Sequence, residues 1–168
     1  LDPADPDLTT YEQVMPGFRE VVEMRFEAPM TWLAALGRRG YALLRKYGLS
    51  FDLQIFWYQM TDAADLAQTF PDTQVVLDHT GMPRSRDPED VASWRSGMRT
   101  LAACPNVACK ISGLAMYHHD WTAETIRPFV LDTIAIFGAE RCMFASNFPV
   151  DKLHGSYDQI WAAFAAIT

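Results

Sequence analysis

The sequence predicts an α/β protein of the (β/α)8 barrel class, and two observations carry that expectation. Five apolar strand-like segments alternate with helical segments along the 168 residues. That alternation demands a largely parallel sheet joined by right-handed crossovers. Each of the five strands also carries a distinctive polar residue at its carboxyl end or on one face: Arg19, Gln54, His79, Lys110 with Ser112, and Asn147. Strands of an ordinary doubly wound sheet are near-continuously apolar. In a barrel, polar residues at the carboxyl ends of strands form the active site.

The elements follow in order. The opening LDPADPDLTT is acidic, with prolines at 3 and 6, and predicts an irregular lead-in. GFREVVEM, 17–24, is a short strand after a Pro-Gly turn. Residues 30–48 space Trp32, Leu33, Leu36, Leu43, Leu44 and Tyr47 as an amphipathic helix, or as two pieces broken by Gly37 and Gly40, with Gly48 as its stop. Strand 50–57 and helix 62–70 come next, the helix ending before Pro71. Strand 73–79 leads through a Gly-, Pro- and Arg-rich loop into helix 88–104, with Asp87 as N-cap and Pro88 in the first turn. Strand 106–113 and helix 122–138 follow. Pro128 is costly deep inside a helix, so this one is expected to begin nearer 126. Strand 141–147 and helix 156–167 complete the series, and nothing reads as a linker, so residues 1–168 are expected to form a single domain.

Composition narrows the function classes. With 49% hydrophobic residues the chain can build a sizeable core. A net charge of −7 and the lack of any basic run argue against nucleic acid or an anionic membrane surface as partner. The first residues lack the basic and apolar regions of a signal peptide, and no apolar run has transmembrane length. Cys104, Cys109 and Cys142 are odd in number and show no CxxC spacing. A reducing, cytoplasmic setting without structural disulfides is the expectation.

GFRE, FDLQI, VVLDHTGMP, VACKISGL and RCMFASNFPVD, in this order and spacing, resemble the amidohydrolase-related family of metal-dependent TIM-barrel hydrolases, in particular its lactonase-like branch. The resemblance runs over nearly the whole chain and maps it onto strands four to eight of the barrel. The first three strands, with the family's H-x-H pair, are then expected upstream, because a complete barrel needs roughly 250 residues. Five strands alone would leave two apolar edges open.

The candidate site residues are His79, Lys110, Asn147 and Asp151 for catalysis, and Arg19, Gln54 and Trp57 for substrate binding. The resemblance implies that His79 lines the catalytic pocket, as a metal ligand in some members and a hydrogen-bond donor in others. A core histidine is the plain alternative. Lys110 lies in an apolar strand, where a lysine is expensive unless paired. It stabilises a developing oxyanion, holds a substrate carboxylate, or pairs with an acid such as Asp52. Arg19 suits bidentate carboxylate binding. Asn147 stands where the family often has aspartate, and its amide cannot take a proton. The search for a general base therefore moves to Asp151. Phe56, Trp57 and Tyr58 either wall a ring-shaped substrate or pack under loops. The loop residues His118, His119, Asp120 and His154 are expected to be solvated, with metal binding as the alternative.

These residues lead to a hydrolase that opens the lactone of a sugar acid or dicarboxylic acid by water attack. A metal-dependent decarboxylase or amide hydrolase, and a degenerate barrel kept for binding, are the alternatives. The cofactor expectation is a divalent metal, zinc or manganese, or none. The partner expectation is a small-molecule substrate, with a homo-oligomer left open.

Overall fold

The computed structural model describes residues 37–168. The strand predicted at 17–24, Arg19 and the helical residues 30–36 lie outside them. The described residues run α1 (Gly37–Lys46), β1 (Phe51–Leu53), α2 (Met60–Thr69), β2 (Val75–Leu77), α3 (Pro88–Ala102), β3 (Val107–Ile111), α4 (Ala123–Phe137), β4 (Cys142–Phe144) and α5 (Tyr157–Ile167). The four strands are parallel and lie in the order β1-β2-β3-β4. Each new strand is added beside the last, on the same side. That is the winding of a barrel wall rather than of a doubly wound sheet, whose strand order reverses.

Strict register divides the side chains of the strands between two faces. Val75, Leu77, Val107, Cys109 and Ile111 share one buried core with Trp94, Met98 and Leu101 of α3 and Phe129 and Val130 of α4. Each such side chain, moved from water into this layer, stabilises the fold by about 1.5–3 kcal/mol. The alternate residues face the other way, into the barrel interior: Asp52, Val76 and Ala108 are register partners across three strands, and Lys110 is paired with Met143.

The helices start and stop as their caps dictate. Gly48, at φ 65°, ends α1, which runs through Gly40 unbroken, the first of the two alternatives the spacing left open there. Asp87 occupies the N-cap of α3 but makes no side-chain capping bond; its backbone N–H donates instead to Ser85 Oγ at 3.0 Å. Helix α4 begins at Ala123 rather than near 126. Thr122 and Thr125 form a capping box there, with the Thr122 N–H donating to Thr125 Oγ1 at 2.8 Å. Two satisfied donors at the start offset the bond that Pro128 cannot give to the carbonyl one turn back. Ser156 and Gln159 cap α5 the same way.

The strands are shorter than predicted, and their amino ends are fastened by side chains. The Asn106 amide nitrogen lies 3.0–3.1 Å from the carbonyls of Ala67, Phe70 and Thr73, tying the end of α2 to the start of β3. Arg141 does the same before β4, with Nη1 donating to the carbonyls of Ala102, Cys104 and Val107 at 3.0–3.2 Å and Nε to Phe137 O at 2.9 Å. Cys104, Cys109 and Cys142 are free thiols, and no helix among the described residues is long and apolar enough to cross a membrane.

Candidate active site

The carboxyl ends of the strands do not continue as strand. After Leu77 the chain enters a tight turn over Asp78–Gly81, with His79 at φ 54° and Thr80 at φ 57°, followed by Met82 at φ 51°. Such left-handed conformations are costly for residues other than glycine, and they gather at functional sites. The turn is held from beneath by buried Trp94 of α3, whose indole N–H donates to Thr80 O at 2.8 Å. Strand alternation carried on from Val75 and Leu77 would put His79 on their face, but it stops at Leu77, where the strand does.

The turn swings the His79 ring against the end of β3. Its Nδ1 lies 2.9 Å from Ser112 Oγ, and Ser112 is buried. Gly113, at φ 66°, leaves the space the ring occupies: a Cβ there would lie 2.9 Å from both Cβ and Cγ of His79. Burial lowers the His79 pKa from its ordinary value, against the raising fields of Asp78 and Asp151 and in line with that of Lys110. The imidazole is therefore neutral at pH 7.

Strand β4 ends on the third contributor. The chain leaves it through Ser146, left-handed Asn147 and a cis Phe148–Pro149 bond into the turn Val150–Leu153. The Asp151 N–H donates to Asn147 O at 3.1 Å, and Asn147 Nδ2 donates back to Asp151 Oδ1 at 2.9 Å. Asp151 is 2% exposed. Burial raises its pKa, while the Asn147 amide, the charge that His79 carries when protonated, and the Ala115 N–H pull it down. So Asn147 holds an acid rather than acting as one.

Beneath this mouth lies an ion-paired layer. Lys110 Nζ is 3.0 Å from Asp52 Oδ1 and 3.0 Å from Asp78 Oδ1. Burial opposes its charge, but the bonds to Asp78 and Asp52 outweigh that and hold its pKa above the ordinary value. The pairing with Asp52 matches one of the readings the sequence left open. Asp78 was not foreseen as a partner; it lies in the turn past Leu77, where strand alternation assigns no face.

The remaining candidates separate. Gln54 is exposed just past β1, and Trp57 is half-buried against the core. Phe56 instead turns to the mouth, with Arg84 Cζ 5.1 Å from its ring centroid and 5.4 Å from that of Tyr117. The His119 and His154 rings stack with centroids 3.6 Å apart and planes 6° apart. A face-to-face stack aims no two nitrogens at one ion. Among the described residues no three His, Cys, Asp or Glu side chains converge as a metal would require. His79 and Asp151 offer donors, but the described residues do not by themselves make a metal centre.

A family model described as amidohydrolase matches residues 12–168. An uncharacterised protein of Sinorhizobium fredii is 55% identical over 131 residues, 78% of this chain and 44% of that protein. An L-fucono-1,5-lactonase of Burkholderia multivorans is 36% identical over 133 residues, 73% of this chain and 45% of that enzyme. The chain thus spans a little under half the length of these curated relatives. A crystal structure of an amidohydrolase from Burkholderia multivorans with bound zinc superposes with a TM-score of 0.78 at 26% identity, over 99% of this chain and 63% of that one.

Proposed function

This chain belongs to the amidohydrolase family, and we propose that it supplies the carboxyl-terminal part of the catalytic mouth of a hydrolase that opens a lactone. The family places the described sheet as one stretch of wall in a (β/α)8 barrel. The reading is carried by one observation: a buried acid, Asp151, is held by Asn147 close to a half-buried histidine, His79, at the carboxyl end of that wall. The likeness to an L-fucono-1,5-lactonase supports a cyclic ester of a sugar acid as substrate, and the lactone of a dicarboxylic acid is the other class proposed.

The chemistry of these residues follows from their bonds. If Ser112 O–H donates to His79 Nδ1, the proton of the neutral ring sits on Nε2, which then donates to the lactone carbonyl oxygen. Asp151 Oδ1 accepts from Asn147, leaving the second oxygen to take a proton from water. The water oxygen adds to the carbonyl carbon. The intermediate collapses with cleavage of the ring ester bond, and the ring oxygen leaves as a hydroxyl carrying the proton from Asp151. Lys110, neutralised by two carboxylates, sets the layer on which His79 rests. Arg19, which lies outside the described residues, Gln54 and Trp57 are proposed as further substrate-binding residues. The relative crystallised with zinc supports a divalent metal in the whole protein, but its ligands would have to come largely from outside the described residues.

The test is proton release by the full-length protein on a broad lactone panel, with and without added zinc or manganese. Ring opening of at least one lactone is expected. Absence of turnover on every compound under both conditions rejects the reading.

A further inference from the structure

We propose that Arg84 is the anion anchor of this mouth, and that the substrate carries a carboxylate in addition to the ester that is opened. This rests on the lactonase reading for the reaction, though not for the binding itself.

Arg45, Arg86 and Arg95 each meet an aspartate within 2.5–3.4 Å. Arg84 meets no carboxylate among the described residues. Its guanidinium lies over two aromatic rings instead, 5.1 Å from the centroid of Phe56 and 5.4 Å from that of Tyr117. Tyr58 extends the platform by stacking on Phe56 at 5.5 Å, with planes 16° apart.

The distinction is chemical. An ion pair occupies the N–H edge of a guanidinium, whereas an aromatic contact occupies its flat face. Two rings therefore restrict the rotamers of Arg84 while leaving its planar fork of donors available for a carboxylate. A cation with no acidic partner among the described residues carries a field that draws anions.

The location supplies the rest. Phe56 follows β1, Arg84 follows the His79 turn after β2, and Tyr117 follows β3 and Gly113. Three consecutive strand-end loops thus converge on one exposed cation, five residues along the chain from His79. Arg84 fixes a carboxylate on the substrate ring, and the exposed faces of Tyr58 and Tyr117 flank that ring.

The experiment uses the full-length protein with a six-membered lactone bearing a ring carboxylate, with the methyl ester of that acid, and with hydroxyadipate, the ring-opened acid, as a binding probe that needs no turnover. The wild type is expected to prefer the carboxylate lactone to its ester and to bind hydroxyadipate with an affinity that falls as salt rises. Arg84→Met, which keeps an unbranched chain against the rings, is expected to weaken hydroxyadipate binding and raise KM for the carboxylate lactone by about 10- to 100-fold. The preference over the ester then disappears. Arg84→Lys is expected to recover part of the affinity. Equal losses for acid and ester in Arg84→Met, unaltered hydroxyadipate binding, or no preference in the wild type each overturn the anchor. If the wild type binds hydroxyadipate through Arg84 but opens no lactone, the lactonase reading falls and the anchor stands. If it opens lactones without regard to charge, the reverse holds.

Discussion

The backbone of Gly113 is packed so closely on the ring of His79 that a Cβ at 113 would lie 2.9 Å from two of the histidine's carbons. At φ 66° the position also disfavours any L side chain. Gly113→Ala is therefore expected to push His79 off Ser112 and to destabilise the fold by about 1–3 kcal/mol. Activity should fall more than stability accounts for, by about a hundredfold, because a misplaced group loses its orientation. Comparing kcat/KM with the urea midpoint separates the two effects.

The hydrogen bond from Asn147 favours the charged form of Asp151. Asn147→Ala removes it, so the Asp151 pKa rises and the acidic limb of the pH–rate profile moves to higher pH. An unmoved limb would deny Asp151 the role of base. Asp151→Asn is expected to lower kcat by about 10²–10⁴-fold.

The same carboxyl group weakens the fold at neutral pH. Burial holds its pKa above the ordinary 3.8, so the folded state binds that proton more tightly than the unfolded chain does. Its contribution to stability declines as pH rises from below 3.8 through the raised value. Asp151→Asn should then be at least as stable as the wild type at pH 7, and a lower urea midpoint at that pH contradicts this.

Lys110 works in the opposite sense. Its pKa is raised above the ordinary 10.5 in the folded state, so its stabilisation is complete below 10.5 and is lost as pH rises through the raised value. Lys110→Met leaves Asp52 and Asp78 facing one another and is expected to cost about 1–2 kcal/mol at pH 8. Asp52 is 59% exposed at its side chain, which keeps the figure modest. The deficit should shrink as alkaline pH discharges the wild-type lysine.

Asn106→Ala deprives three backbone carbonyls of one shared donor and is expected to cost about 1–3 kcal/mol. Because it lies at the amino ends of the strands, kcat should stay within about twofold of the wild type, checked by the melting temperature beside the rate.

Much of this architecture was legible because β/α alternation and helix stops are local. Gly48, Thr122 and Ser156 mark helix ends through bonds made within a turn or so of themselves. The face of each strand was less legible. In a sheet covered on both sides, Val75 and Val76 look alike, so nothing in the alternation says that Asp78 and Lys110 point inward together. The His79 turn was the least legible, since three non-glycine residues adopt left-handed backbone that only Trp94 and Gly113, distant in sequence, make tolerable. Arg84 was unreadable for a similar reason: its two rings come from loops 28 and 33 residues away.

The side-chain ties of Asn106 and Arg141 to backbone carbonyls sit at the opposite rim from His79, Asp151 and Arg84. Structural insurance and chemical novelty are thereby kept in separate accounts. Loops such as 82–87 can be exchanged, lengthened or randomised in a search for new substrates while the other rim keeps the wall standing. A library confined to that upper rim should yield a high share of folded variants even where catalysis is lost.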